Sequence, residues 1–169
     1  GHSMGGTVAM SLALDHPERV SKVAVAGSPM HGSSLSLLLK VAGLEWIGQL
    51  LWRYPALMNL VLWGYSPFVA TAETNIHSQM MEHISKSTWM SFSRSIASLR
   101  RTDLRPRLPE IRIPTLGIYG ARDGVVNPNQ AQVIASLIPQ ARVEIMENSK
   151  HFPMLSEAER FNRVLADFL

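Results

Sequence analysis

Three side chains of this 169-residue sequence are of the types that form a nucleophile, base and acid relay. Ser3 lies in the opening Gly-His-Ser-Met-Gly-Gly, a G-x-S-x-G pattern. A serine hydroxyl is a weak nucleophile at neutral pH and needs a histidine base, which a carboxylate orients. Asp123, in Gly-Ala-Arg-Asp-Gly, and His151, in Ser-Lys-His-Phe-Pro, follow in that chain order. This combination suggests acyl transfer to the serine.

The glycines around Ser3 predict a tight turn between a strand and a helix. We expect side chains larger than glycine at Gly1 and Gly5 to collide in so tight a turn. The turn would lift the hydroxyl clear of the sheet, and the positive end of the following helix would favour a developing oxyanion. The pattern alone occurs by chance in roughly one chain in twenty of this length, so the acid and the histidine carry much of the argument.

Three short apolar segments predict the strands that position these residues. Residues 20–26, 114–120 and 142–146 are mostly apolar, and each is followed by a loop rich in Gly, Ser, Asn or Asp. We predict that all three are buried parallel strands. Asp123 and His151 then follow the second and third strands, at the edge of the sheet that would carry Ser3.

Helical patterns alternate with these strands, which predicts an α/β fold with a mostly parallel sheet flanked by helices. The first helix is predicted over residues 4–15. The second is predicted to begin with Asn127 as N-cap and Pro128 at its first position. The last is predicted to open with a capping box of Ser156 and Glu159.

A long segment between the first two strands breaks the alternation. Residues 28–109 show helical patterning without a convincing strand and hold all four tryptophans, Trp46, Trp52, Trp63 and Trp89. Such an insertion would cover the edge of the sheet where ligands bind in α/β folds. We therefore expect the tight turn around Ser3 (the elbow), a helix and a strand in residues 1–27, a helical cap in 28–109, and the remaining core with the acid and histidine loops in 110–169.

With these segments in view, the sequence resembles the C-terminal part of the α/β-hydrolase family, especially its capped esterases and lipases. The resemblance is carried by Gly-His-Ser-Met-Gly-Gly, Pro-Thr-Leu-Gly-Ile-Tyr-Gly-Ala-Arg-Asp and Ser-Lys-His-Phe-Pro. It implies a catalytic triad of Ser3, Asp123 and His151, and an oxyanion hole that includes the backbone N–H of Met4. A second donor would come from the half of the fold that precedes the elbow. No metal or organic cofactor is implied.

The implied activity is hydrolysis of a small to medium apolar ester or related acyl substrate through an acyl-enzyme. The same triad also serves C–C bond hydrolases, thioesterases and acyltransferases, and a non-catalytic ligand-binding protein of this fold is a further alternative. Ser3 argues against haloalkane dehalogenases and epoxide hydrolases, whose relatives carry Asp at this position.

Each proposed site residue also has a structural interpretation. Ser3 is of a type favoured as a helix N-cap, Asp123 could cap a turn before Gly124, and His151 could be an ordinary loop histidine. His2 is expected to be a packing or hydrogen-bonding neighbour rather than the base. His16, His31, His77 and His83 show no metal-like grouping.

Composition limits the classes of partner. The net charge is +3, and the basic residues are scattered apart from Arg100, Arg101, Arg105 and Arg107, so no nucleic-acid partner is expected. The absence of cysteine excludes disulfides and thiolate nucleophiles. Charged and polar residues interrupt the apolar stretch 35–52, so a cap helix is expected there and no transmembrane segment.

The sequence opens on Gly1, in the middle of a motif. We therefore expect the natural N-terminus to be missing, with any targeting signal it carries, and this piece alone to be weak or inactive. A cytoplasmic location is the default expectation, and the sequence gives no indication of oligomeric state.

Overall fold

The computed structural model describes residues 1–69, 78, 82 and 86–169. Its helices are α1 (Met4–Asp15), α2 (Leu37–Ala42), α3 (Glu45–Arg53), α4 (Pro55–Val69), α5 (Trp89–Arg101), α6 (Gln130–Leu137), α7 (Pro153–Ser156) and α8 (Ala158–Phe168). Its strands are β1 (Val23–Ala26), β2 (Thr115–Gly120) and β3 (Ala141–Met146). The chain order of these elements is that of the α/β-hydrolase fold expected from the sequence.

The described strands form one parallel sheet in the order β1-β2-β3. Val23 pairs with Thr115, and Thr115 pairs with Ala141. The opening residues run parallel to the free side of β1: the N–H of Ala26 donates to the Gly1 carbonyl at 2.9 Å, and the N–H of Ser3 donates to the Ala26 carbonyl at 2.8 Å. Ser3 therefore emerges at the same edge of the sheet as the ends of β1, β2 and β3.

Alternation along the strands separates two apolar layers. Val23 and Val25 pack in one cluster with Met10 of α1 and Ile134 of α6. On the opposite face, a second cluster joins strand residues to α8; its buried members are Ala26, Leu116, Ile118, Met146 and Val164. Because successive side chains of a strand point to opposite faces, each short apolar strand contributes to both layers.

The strands differ from the predictions at their ends and in their burial. β1 begins at Val23 rather than at residue 20, because the 3₁₀ turn Pro17–Arg19 leads into it. β2 is buried along its whole length, whereas only Met146 of β3 is buried. The prediction of a buried third strand was therefore wrong. Among the described residues β3 pairs on one side only, with β2, which leaves its other side open.

Two predicted helix starts were also wrong. α6 begins at Gln130, because residues 127–129 form a turn in which the Asn127 side chain accepts from the N–H of Asn129 at 3.0 Å. Ser156 does not cap the last helix but ends α7, and its hydroxyl bonds Ser149 Oγ at 2.7 Å. The residue before α8 is Glu157, whose side chain is engaged elsewhere.

The helices between β1 and β2 are tied to the carboxyl edge of the sheet. The N–H of Ser36 donates to the Val125 carbonyl at 2.8 Å, and the N–H of Asn127 donates to the Ser34 carbonyl at 2.9 Å. An apolar cluster fills this junction; its buried members are Leu35, Val69, Leu99, Val125 and Val126. None of the helices in the described ranges is both long enough and apolar enough to cross a membrane.

Candidate active site

Ser3 occupies the strained turn that the glycine pattern predicts. Its φ of 52° is the only positive value at a non-glycine residue in the described part of the chain. A Cβ at Gly1 would lie 2.4 Å from the Gly5 carbonyl oxygen, so glycine is required there. The same expectation for Gly5 was wrong, since a Cβ at Gly5 meets open space. The second tight position is Gly6, where a Cβ would lie 1.9 Å from Ser28 Oγ.

The Ser3 side chain points away from the helix that it precedes. It makes no side-chain capping bond to α1, so the N-cap interpretation is wrong. Its Oγ instead lies 3.0 Å from His151 Nε2. Met4, the first residue of α1, lines the cavity that opens in front of Ser3. Backbone N–H groups in the first turn of a helix lack partners within the helix, so they are available to a ligand.

His151 and Asp123 form a buried pair behind Ser3. His151 Nδ1 lies 2.8 Å from Asp123 Oδ2, and the two residues are only 4% and 8% exposed. The other carboxylate oxygen, Oδ1, accepts from the N–H groups of Val125 and Val126 at 2.8 and 3.0 Å. Asp123 therefore caps its own turn and also holds the histidine. An Nδ1–H that donates to Oδ2 leaves the Nε2 lone pair facing Ser3 Oγ.

The loops that carry Asp123 and His151 are bonded to each other. The N–H of Arg122 donates to the Ser149 carbonyl at 3.0 Å. At Gly120, the last residue of β2, a Cβ would lie 2.0 Å from the Lys150 carbonyl oxygen, so only glycine allows the histidine loop to come this close. This close approach fixes the distance between the acid and the base.

Two further contacts hold the histidine loop, and no sequence pattern predicts either of them. The N–H of His151 donates to the Val69 carbonyl at 3.0 Å, at the end of α4. Glu157 Oε1 accepts from the N–H of Asn148 at 3.0 Å and from Ser149 Oγ at 2.8 Å. Val69 comes from a distant part of the chain, whereas Glu157 is the residue directly before α8.

His2 is a neighbour of the pair, as predicted from its place in the turn. Its Nε2 donates to the His151 carbonyl at 2.8 Å, and its ring centroid lies 4.8 Å from that of His151 and 4.7 Å from that of Phe152. Burial, followed by the charge that His151 would carry, lowers the pKa of His2 to about 4. His2 is therefore neutral near pH 7.

A cavity of about 340 Å³ opens in front of Ser3. Its walls come from the turn, the histidine loop, the acid loop and the inserted helices; they are Ser3, Met4, Leu35, Leu39, Tyr65, Val69, Ser91, Phe92, Ser95, Ile96, Leu99, Val125, His151 and Phe152. The structure describes all 16 Lys and Arg residues of the chain, and none of them lines this cavity. The wall is therefore mainly apolar, with polar groups from Ser3 and His151 and from Tyr65, Ser91 and Ser95.

Other clusters that the sequence suggested have ordinary structural roles or are not described. Arg105 Nη2 pairs with Asp103 at 2.6 Å, and Arg107 Nη1 pairs with Asp15 at 2.7 Å. No three potential metal ligands come together within the described ranges. His77 and His83 lie outside them.

The sequence is similar to those of known hydrolases over nearly its whole length. The chain is 31% identical over its whole length to a 2-hydroxy-6-oxononadienedioate/2-hydroxy-6-oxononatrienedioate hydrolase of Cupriavidus pinatubonensis, of which it covers 60%. It is 29% identical to a pimeloyl-[acyl-carrier protein] methyl ester esterase of Edwardsiella ictaluri, with 99% of this chain and 67% of that protein covered. The chain thus spans about 60% of the length of the hydrolase relative.

Solved structures agree with this assignment. An esterase from Exiguobacterium antarcticum superposes with a TM-score of 0.81 at 26% identity, over 99% of this chain and 64% of that one. An enol-lactonase from Burkholderia xenovorans, at 23% identity and a TM-score of 0.80, shares the fold. The sequence of residues 1–158 matches the family described as alpha/beta hydrolase fold. The chain belongs to the α/β-hydrolase family.

Proposed function

We propose that this chain carries the catalytic triad of a serine hydrolase that cleaves carboxylic esters of small to medium apolar substrates. One observation carries the proposal: Ser3 Oγ, His151 Nε2, His151 Nδ1 and Asp123 Oδ2 form a continuous relay with separations of 3.0 and 2.8 Å. A base within hydrogen-bonding distance of the nucleophile, itself oriented by a third group, is the arrangement that activates a serine.

The proposed reaction has two steps. Ser3 Oγ attacks the acyl carbonyl while His151 Nε2 takes the hydroxyl proton, and the carbonyl electrons move to the oxygen. His151 returns that proton to the departing alcohol as the C–O bond breaks, which leaves an acyl group on Ser3. A water that gives its proton to His151 then attacks the acyl group, and Ser3 regains its proton as the acid leaves.

Asp123 and Met4 have supporting roles in this mechanism. Asp123 stabilises the imidazolium that forms in each step, and its own turn bonds keep the carboxylate in place. We assign the N–H of Met4 as the first oxyanion donor, since it follows the nucleophile at the positive end of α1. Ser3 is held in a positive-φ turn before any substrate binds, so the geometry needs no reorganisation.

The cavity supports a neutral, apolar acyl group. We propose that the inserted helices act as a cap, because Leu39, Tyr65, Phe92 and Ile96 cover Ser3 from that side. A carboxylate brought into such a wall would lose its hydration without gaining a cationic partner, which is strongly unfavourable.

A C–C bond hydrolase is the second candidate, and the relatives favour it. The name of the Cupriavidus pinatubonensis relative specifies a dioate substrate, which carries two carboxylates. Among the described residues the cavity offers no Lys or Arg to either carboxylate. We therefore place ester hydrolysis first, in line with the esterase from Edwardsiella ictaluri.

The test uses the whole protein that contains this chain, as its natural source makes it (the natively produced protein). It compares the rates at which this protein and its Ser3→Ala variant cleave p-nitrophenyl butanoate and a 2-hydroxy-6-oxo-dienedioate. We expect the natively produced protein to cleave the ester faster than the dioate. We expect Ser3→Ala to lower the rate of ester cleavage by roughly 10⁴–10⁶-fold. Equal ester rates for the two proteins would refute serine catalysis. Faster cleavage of the dioate would instead favour the C–C hydrolase.

A further inference from the structure

A second cavity lies inside the inserted helices and has no role in the mechanism above. It has a volume of about 120 Å³. Its wall is composed of Leu38, Leu39, Ala42, Gly48, Leu51, Trp52, Met58, Val61, Leu62, Tyr65 and Phe92. An engineered apolar cavity of about 150 Å³ stays dry and binds benzene, so this space suits a group of that size and polarity. We call it the inner cavity, and the space in front of Ser3 the outer cavity.

Three side chains separate the two cavities. Leu39, Tyr65 and Phe92 line both of them, and we call these three side chains the partition. The inner cavity is therefore positioned as an extension of the space that faces Ser3.

The members of the partition are held to different degrees. Tyr65 is tethered, because its hydroxyl lies 3.1 Å from Ser36 Oγ next to the start of α2. Phe92 lies in the first turns of α5, and its ring packs against Trp52 at 5.9 Å between centroids. Neither Leu39 nor Phe92 has a polar group that fixes its side chain, and Phe92 is the larger of the two, so its truncation opens the partition most directly.

We propose that Phe92 determines the length of the acyl group that the site accepts. With Phe92 in place, an acyl group bound at Ser3 ends in the outer cavity. Without it, the two cavities merge, and a straight chain continues past the partition into an apolar space. The inference rests on the proposed hydrolase function for its catalytic readout, but the cavities and their partition exist independently of turnover.

The first experiment measures kcat/KM for p-nitrophenyl butanoate and octanoate in the natively produced protein. In Phe92→Ala we expect the octanoate-to-butanoate ratio to rise by at least about tenfold, because each extra methylene that fits an apolar pocket is worth a factor of this order. Leu39→Ala opens the partition from α2 and should raise the same ratio, so the test does not depend on one variant folding.

Two controls assign the change to the inner cavity. Phe161→Ala removes a similarly half-buried phenylalanine from the α8 cluster, away from both cavities, and should leave the ratio unchanged. Ala42→Leu places a larger side chain in the inner cavity and should cancel the gain when it is combined with Phe92→Ala.

A binding measurement separates this inference from the proposed function. In the Ser3→Ala background, calorimetry with methyl butanoate and methyl octanoate should show the same tenfold shift in relative Kd when Phe92→Ala is added. That shift, found together with no esterase activity in the protein that retains Ser3, would support the partition and refute the hydrolase. Folded Phe92→Ala and Leu39→Ala variants that leave both the kinetic and the binding ratio unchanged would overturn the inference.

Discussion

At the scale of single residues, Asp123 combines two roles that the sequence presented as alternatives. Oδ1 caps the turn through Val125 and Val126, while Oδ2 holds His151. The turn interpretation and the catalytic interpretation are therefore both compatible with the geometry. The capping bonds keep the carboxylate in place so that Oδ2 faces the imidazole.

An Asp123→Asn substitution separates these two roles. The amide oxygen can retain the turn bonds, but the NH₂ group then faces His151 Nδ1 and favours the wrong tautomer. We expect kcat/KM to fall by roughly 10⁴ while the thermal midpoint changes little. Asp103→Asn is the matched control, since that carboxylate pairs with Arg105 at the surface. A loss of less than tenfold in Asp123→Asn would argue against the triad.

His2 makes stability depend on pH in a defined window. Its pKa of about 4 in the folded protein lies below the ordinary value of 6.5, so the unfolded chain binds more protons between these values. The contribution of His2 to the free energy of unfolding should be fully present above pH 6.5. It should fall by roughly 2–3 kcal/mol as the pH is lowered toward 4.

The His2→Gln variant tests this dependence. Its amide can still donate to the His151 carbonyl but does not titrate. We expect urea unfolding of the variant to show a flatter dependence of the unfolding free energy between pH 6.5 and 4. Identical slopes in the two proteins would show that His2 does not cause the acid sensitivity.

At the scale of elements, the contact between α1 and β1 depends on the lack of a side chain at Gly6. A Cβ at Gly6 would overlap Ser28 Oγ, whereas one at Gly5 meets open space. We expect Gly6→Ala to lower the unfolding free energy by about 1–3 kcal/mol, the usual cost of overpacking. Gly5→Ala should be neutral or stabilising by up to about 1 kcal/mol, because alanine favours the helix. Equal effects of the two substitutions on chemical unfolding would contradict this packing.

The histidine loop depends on a carboxylate from the start of α8. Glu157 accepts from Asn148 and Ser149, which lie three and two residues before His151, respectively. We expect Glu157→Ala to lower kcat by roughly tenfold or more with little change in KM, because a displacement of about 1 Å can cost 10²-fold. Glu157→Gln keeps an acceptor oxygen and should restore most of kcat. A Glu157→Ala effect confined to stability would assign Glu157 a structural role alone.

Sequence patterns predicted the elements better than their ends and neighbours. Apolar runs followed by loops identified β1, β2 and β3, and their order placed Asp123 and His151 at one edge. The patterns missed the half-exposed state of β3, because burial depends on how many strands pair beside it. They also missed two contacts of the histidine loop: that of Val69, which comes from a distant part of the chain, and that of Glu157, which depends on how the chain turns between α7 and α8.

At the scale of the whole molecule, the inserted helices are bonded to the edge of the sheet that carries Ser3, Asp123 and His151. The end of α4 binds the His151 N–H, and the loop before α2 pairs with the acid loop. The helices that line the cavity in front of Ser3 therefore also help to hold His151, its proposed base. The assignment of residues 28–109 as a cap stays a prediction. The chain covers about 60% of its hydrolase relative, and ester hydrolysis is proposed as an activity of the whole protein that contains this chain.

The most direct test of the central claim is fluorophosphonate labelling of the natively produced protein, read by intact mass and peptide mapping. An assembled triad predicts a single adduct on Ser3 that is lost in both Ser3→Ala and His151→Ala, because the reagent requires a serine activated by its base. Absence of an adduct on the folded protein, or an adduct that persists in His151→Ala, would contradict the claim that Ser3, His151 and Asp123 act together.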